Sequence, residues 1–166
     1  MEALGNLFDV AINHVPTDIV AGAVTGKRVH LRNYAAATLV VVCGSGSTDI
    51  GDLDLQQHTV SSGGSPLDLD IITHYYLKDA TTLDNSTAWT KTTQSAASEV
   101  TDAGSASKQQ IIVVEVNADA LSDGYQWVSC DMPDAGTNGT KYACGIWILT
   151  GLRYPRNPVN LPASLT

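Results

Sequence analysis

Short apolar runs alternate with small polar stretches along this chain, and within the runs the dominant period is two. From Arg28 to Arg32, Val29 and Leu31 fall on one side and Arg28, His30 and Arg32 on the other, which predicts a half-buried strand. Ile50–Gln57 repeats the pattern, with Leu53 and Leu55 opposed to Asp52, Asp54 and Gln56. Leu67, Leu69 and Ile71 alternate ahead of Thr73–Leu77, predicting one further strand region. TLVVVC, residues 38–43, is apolar throughout, and its β-branched content predicts a central strand covered on both faces. QIIVVEV, residues 110–116, is a second such run. Thr87–Thr93 reads as a Thr-rich strand anchored by Trp89, and Tyr125–Cys130 and Thr140–Leu149 complete the set. Residues 94–108 are small and polar and read as a long exposed loop. Asn117 is placed to cap one helical turn over residues 118–121.

About eight strands with turn signals between them and no sustained amphipathic helix predict an all-β fold, a β-sandwich or jelly roll. The expected core is Leu39, Val41, Ile112, Val114, Trp127, Ile146 and Ile148. Residues 1–26 read as an N-terminal arm and first strand, 27–150 as the sandwich, and 151–166 as a C-terminal arm. That last segment carries Pro155, Pro158 and Pro162, which lack a backbone donor and bar both a helix and a sheet centre. It also carries Leu152, Tyr154, Val159, Leu161 and Leu165. An extended arm with apolar teeth lies on something: its own core, a sister subunit or another protein.

The 166 residues suit one domain, long enough to bury a core without a covalent staple. Only 16% are charged, below the usual ~25%, and the net charge is −8. The only adjacent basic pair is Lys27–Arg28, which argues against a nucleic-acid surface and against an anionic membrane as partner. Cys43, Cys130 and Cys144 have no C-x-x-C spacing and sit beside apolar runs, so they read as buried free thiols made in a reducing cytoplasm. The first residues have neither the basic nor the apolar region of a signal peptide, and no apolar stretch reaches membrane-helix length.

Candidate chemistry is sparse. Asp52/Asp54 and Asp68/Asp70 would bring four carboxylates together if their strands paired, a set suited to Ca²⁺, although no EF-hand loop is present. A solvent-facing polar stripe is the simpler reading. The four histidines are scattered, without H-x-H or H-E-x-x-H spacing. Cys43-Gly44-Ser45-Gly46 imitates a nucleophile elbow, but no helix pattern follows it, so a turn is expected. No catalytic residue, metal or cofactor is assigned. Trp89, Trp127, Trp147 and Tyr75-Tyr76 would form a sugar platform if exposed, against core packing as the plainer role.

Four segments in order resemble the head decoration, or cement, proteins of tailed bacteriophages. They are LRNYAAATLVVVCGSG (31–46), DLDLQQHT (52–59), IIVVEVNADALSDGYQWVSCDM (111–132) and YACGIWILTGLRYP (142–155). The resemblance implies a structural, non-enzymatic virion protein, made in the host cytoplasm and located on the capsid surface. It implies the major capsid protein and further copies of itself, as homodimer or homotrimer, as partners. Arg153, Tyr154, Arg156 and Leu152 in the C-terminal arm, with Leu7 and Phe8 at the N-terminus, are the expected capsid or subunit contacts. The alternatives are a tail or head-fibre virion protein contacting host glycans, or a β-sandwich glycan-binding or glycan-hydrolysing module.

Overall fold

A computed structural model describes residues 2–100, 106–136 and 139–165. Two antiparallel sheets face each other across one apolar core. Eight strands are long: β1 (Phe8–Asp18), β3 (Ala36–Cys43), β4 (Leu53–His58), β6 (Ile72–Ala80), β7 (Thr90–Ala97), β9 (Gln109–Asn117), β10 (Trp127–Asp131) and β11 (Tyr142–Thr150). Three more have two residues each: β2 (Val29–His30), β5 (Leu67–Asp68) and β8 (Glu99–Val100). The larger sheet runs β1-β11-β3-β9-β6-β7 and the smaller β2-β10-β4-β5, with β8 also pairing with β4. The described residues contain no α-helix, only three 3-10 turns.

The two apolar runs take the sheet centre because β-branched side chains pack on both faces of a pleated surface. β3 pairs with β11 and β9 without a register shift. Along β3, Ala37, Leu39, Val41 and Cys43 point into the sandwich, while Thr38, Val40 and Val42 point away from it. From the smaller sheet, Val29, Val128, Cys130, Leu53 and Leu55 close the core.

Asn13 bolts the sheets together. Its side-chain Nδ2 donates to Cys130 O at 2.9 Å, and its Oδ1 accepts from Cys130 N and from Trp147 Nε1, each at 3.2 Å. A strand residue of the larger sheet thus completes the backbone pairing of β10 in the smaller one. Gly26 passes this point so closely that a Cβ there would lie 2.2 Å from Cys130 O and 2.6 Å from Asn13 Oδ1, so no larger residue fits without displacing the bolt.

Several expectations need correction. β7 runs through Ala97, so residues 94–97 are strand rather than loop; residues 101–105 of that expected loop lie outside the described residues. Leu67–Leu77 is not one strand: β5 ends at Asp68, and the chain crosses through buried Leu69 to begin β6 in the other sheet. The Arg28–Arg32 strand shrinks to Val29–His30, both buried, followed by a 3-10 turn. Residues 118–120 form a 3-10 turn that the Asn117 side chain does not cap. In β11 the inward residues are Ala143, Trp147 and Leu149, not Ile146 and Ile148. Trp127 stacks on His30 on the outer side of the smaller sheet, with ring centroids 4.3 Å apart, instead of filling the core. Leu39, Val41, Ile112 and Val114 are core residues.

Candidate interaction surface where the arms meet

The two termini meet at one end of the sandwich. Residues 3–8 form a turn in which Leu7 N donates to Ala3 O and Gly5 N to Phe8 O. Gly5 has a φ of +79°, and its carbonyl accepts from Arg156 N at 2.8 Å. A Cβ on Gly5 would fall 2.3 Å from Arg156 O, so glycine is what lets the arms touch.

The C-terminal arm lies on its own domain. Arg153 N bonds to Asn33 O at 3.0 Å, and Leu152 packs against the core. Leu152, Leu161 and Pro162 gather round Tyr34, whose buried hydroxyl donates to Asp9 Oδ2 at 2.7 Å. Burial, followed by that bond and the Asp9 charge, raises the Tyr34 pKa far above its ordinary value, so it remains a donor. Pro158–Asn160 form a 3-10 turn started by Asn157, whose side chain accepts from Val159 N. The arm ends along the smaller sheet: His30 N bonds to Ser164 O, and Trp127 Nε1 to Leu165 O at 3.0 Å.

Anchored at both ends, the arm holds residues 153–160 out as a loop. Tyr154 is 63% and Val159 87% exposed, and Leu7 beside them is 60% exposed. The Arg156 guanidinium sits 6.0 Å from the Tyr154 ring centroid. Arg32 and Arg153 line one cleft with Asn33 and Tyr154. Three of the chain's four arginines therefore share this corner of an otherwise acidic molecule. Planar guanidinium groups beside a phenol suit carboxylate recognition.

Of the six expected contact residues, Leu7, Arg153, Tyr154 and Arg156 are exposed at this corner, whereas Leu152 is turned inward. Phe8 is half-buried and opens β1 opposite Thr150. Arg32 and Val159 belong to the corner without having been expected there. Arg32 reads in the sequence as the solvent side of a strand, and nothing local ties it to a segment so far along the chain.

The other candidates are placed as follows. β4 and β5 do pair, but Gln56 Nε2 stands between the carboxylates, donating to Asp54 Oδ2 at 2.6 Å and Asp68 Oδ1 at 2.9 Å. Among the described residues no group of three or more His, Cys, Asp or Glu side chains is arranged to hold a metal ion. Cys43 is buried and its thiol is pushed up to about 12, chiefly by burial, against the opposing charge of Lys141. Cys130 is raised further, again by burial first. Neither is a ready nucleophile at neutral pH. Comparisons with protein-family models, curated proteins and solved structures returned no match.

Proposed function

We propose that this chain is a structural virion protein that binds the outer surface of a phage capsid, through the major capsid protein, and cements neighbouring capsid subunits. The observation that carries the reading is the corner where the arms meet. It concentrates Arg32, Arg153 and Arg156 around Tyr154 on a molecule of net charge −8. Arg and Tyr are enriched among residues that dominate interface energies. The loop bearing Arg153, Tyr154 and Arg156 is pinned at both ends, so little conformational entropy remains to be lost on docking. Many copies on one shell would gain further from effective concentration. The acidic remainder keeps free copies soluble before assembly.

The test is co-sedimentation of the purified protein with capsid shells of the phage that encodes it, with electron microscopy to count and locate the copies. Stoichiometric binding that Arg153→Glu with Arg156→Glu abolishes supports the reading. Shells that bind none of the wild-type protein overturn it. A glycan-contacting role would draw on Trp89, which is 49% exposed beside Tyr76. The Lys78 ammonium lies 4.8 Å from the Trp89 ring centroid. Retention on a glycan array, lost in Trp89→Ala, would favour that second reading.

A further inference from the structure

The outer face of the larger sheet is largely apolar over β1, β11, β3 and β9 and mixed over β6 and β7. One unbroken row of paired residues crosses it: Ile12, Ile146, Val40, Val113, Tyr76 and Lys91. One flanking row runs Val10, Ile148, Thr38 and Glu115, and the other Cys144, Val42, Ile111 and Lys78. Val10, Ile12 and Val42 are 46, 44 and 42% exposed. Sheets facing water ordinarily alternate apolar-in with polar-out; this one is largely apolar on both sides.

Charge and symmetry identify an occupant. Six strands spaced ~4.8 Å apart span roughly 24 Å and the three rows roughly 20 Å along the strands, a face of about 480 Å². That is the size of the largest apolar patch of a typical monomer, roughly 300–600 Å², and such patches are often functional. The chain as a whole is strongly acidic, yet along these rows Glu115 is the one carboxylate, balanced by Lys78 and Lys91. A second copy brings the same −8 charge, so two copies approach only through a face from which carboxylates have been kept away.

We propose that this face binds a second copy of the chain, sheet against sheet, about a two-fold axis running across the strands along the Ile146–Val40–Val113 row. Two sheets stack in this way ~10 Å apart, with strands within about 30° of alignment. That axis exchanges the two ends of the face. Glu115 of one copy then lies diagonally across from Lys78 of the other, and the contact occurs twice, as an isologous interface requires. None of Arg32, Arg153, Tyr154 and Arg156 belongs to these rows, so this pairing does not depend on the capsid reading.

The isolated full-length protein tests it, with no capsid present. Sedimentation velocity should show a monomer–dimer equilibrium in the micromolar range. Val40→Lys with Val113→Lys should leave the circular dichroism unchanged and weaken association by roughly a hundredfold or more, since each added ammonium would lose water on docking. Glu115→Lys and Lys78→Glu should each weaken it, and the double exchange should restore it. Should the lysine variants fail to fold, the wild-type protein supplies its own probe. Cys144 is the partly exposed thiol and faces outward beside Val42, whereas Cys43 and Cys130 are buried. Its alkylation rate should fall as protein concentration rises through the dimer dissociation constant. A wild-type monomer at every concentration, with a constant alkylation rate, overturns the inference and assigns the face to a different chain. A trimer overturns the two-fold arrangement. Loss of shell binding in a protein that still dimerises would strike only the capsid reading.

Discussion

The two sheets of this sandwich turn opposite kinds of outer face to the world. The larger sheet's is largely apolar and uncovered. The smaller sheet's is polar, built from Asp54, Gln56, His58, Ser129 and Asp131, and yet Gln56, His58 and Ser129 are nearly fully buried. Most polar groups there have found a partner within the chain: Gln56 between two carboxylates, His58 Nε2 with Ser129 Oγ at 2.8 Å, His30 Nε2 with Gln126 Oε1 at 2.9 Å, while Asp54 Oδ1 and His58 Nδ1 are buried without one. Added segments hold to its margin, with Arg28 gripping the 59–66 loop through Val60 O and Gly63 O and the C-terminal arm ending on His30 and Trp127. Buried polar groups demand partners, and that face has been closed largely from within. Apolar groups make no such local demand, and the larger sheet's face is left to be closed from outside.

The strongest way to break this arrangement is to release the sheets from each other. Asn13→Ala would leave Trp147 Nε1 and both backbone groups of Cys130 short of a partner in the core. Unsatisfied buried groups cost about 1–3 kcal/mol each, so a loss of roughly 3 kcal/mol or more in urea unfolding is expected. A loss below about 1 kcal/mol would mean that water takes over the site and the bolt is not structural.

Next comes the arm. Removing residues 153–166 strips Leu161 and Pro162 from Tyr34 and two hydrogen bonds from the margin of the smaller sheet. The domain should stay folded but lose roughly 2 kcal/mol, with Trp127 fluorescence shifting to the red. No change in either signal would show that the arm is only loosely laid on the domain.

The fold class was legible because period two survives in nearly every run: seven of the eight long strands fall on runs named from the pattern, and β1 on the first strand expected within residues 1–26. What escaped is what period two cannot encode. In β11, Cys144, Ile146 and Ile148 are as apolar as Ala143, Trp147 and Leu149, so either set would serve as the inner face. The choice follows from pairing with β3 and from Trp147 reaching Asn13, both long-range facts. The same ambiguity hid the most unusual property of the sheet, since residues counted towards a core prove to be surface. The three two-residue strands are too short to show a period at all. Of the arginine corner, Arg153, Tyr154 and Arg156 were readable as a local cluster among prolines, whereas Arg32 arrives only through the hydrogen bond from Arg153 N to Asn33 O.

Acid should act on the polar side. Burial first, and then the Arg28 charge, lower the His58 pKa from 6.5 to about 4; burial lowers His14 as well. Above pH 6.5 the imidazoles are neutral in both states and the stability they permit is complete. As pH falls from 6.5 towards 4, the unfolded chain takes up a proton at His58 that the folded chain refuses, and stability drops by up to about 1.4 kcal/mol per pH unit; His14 acts in the same sense. Asp54 and Asp131, raised chiefly by burial, work in the other sense: they gain protons in the folded state first, and so flatten the loss near the carboxylate range. His58→Gln should flatten the slope between pH 6.5 and 5, and an unchanged slope would remove His58 from the account.

The smallest expected effect sharpens the comparison most. Val40 and Val41 are adjacent in β3, the same residue type in the same backbone, and differ only in the face they enter. Replacing either by threonine keeps the shape and adds one hydroxyl. At Val41, fully buried against the smaller sheet, that hydroxyl loses water, and the expected cost is roughly 1–2 kcal/mol. At Val40 the hydroxyl meets solvent while the protein is monomeric, so the change should stay within about 0.5 kcal/mol in dilute solution. Raising the protein concentration should then open a gap between wild type and Val40→Thr, because a docked partner would bury the hydroxyl in its turn. An equal cost at both positions in dilute solution would mean that the outer face is already covered within the monomer, and the contrast between the sheets would fall with it.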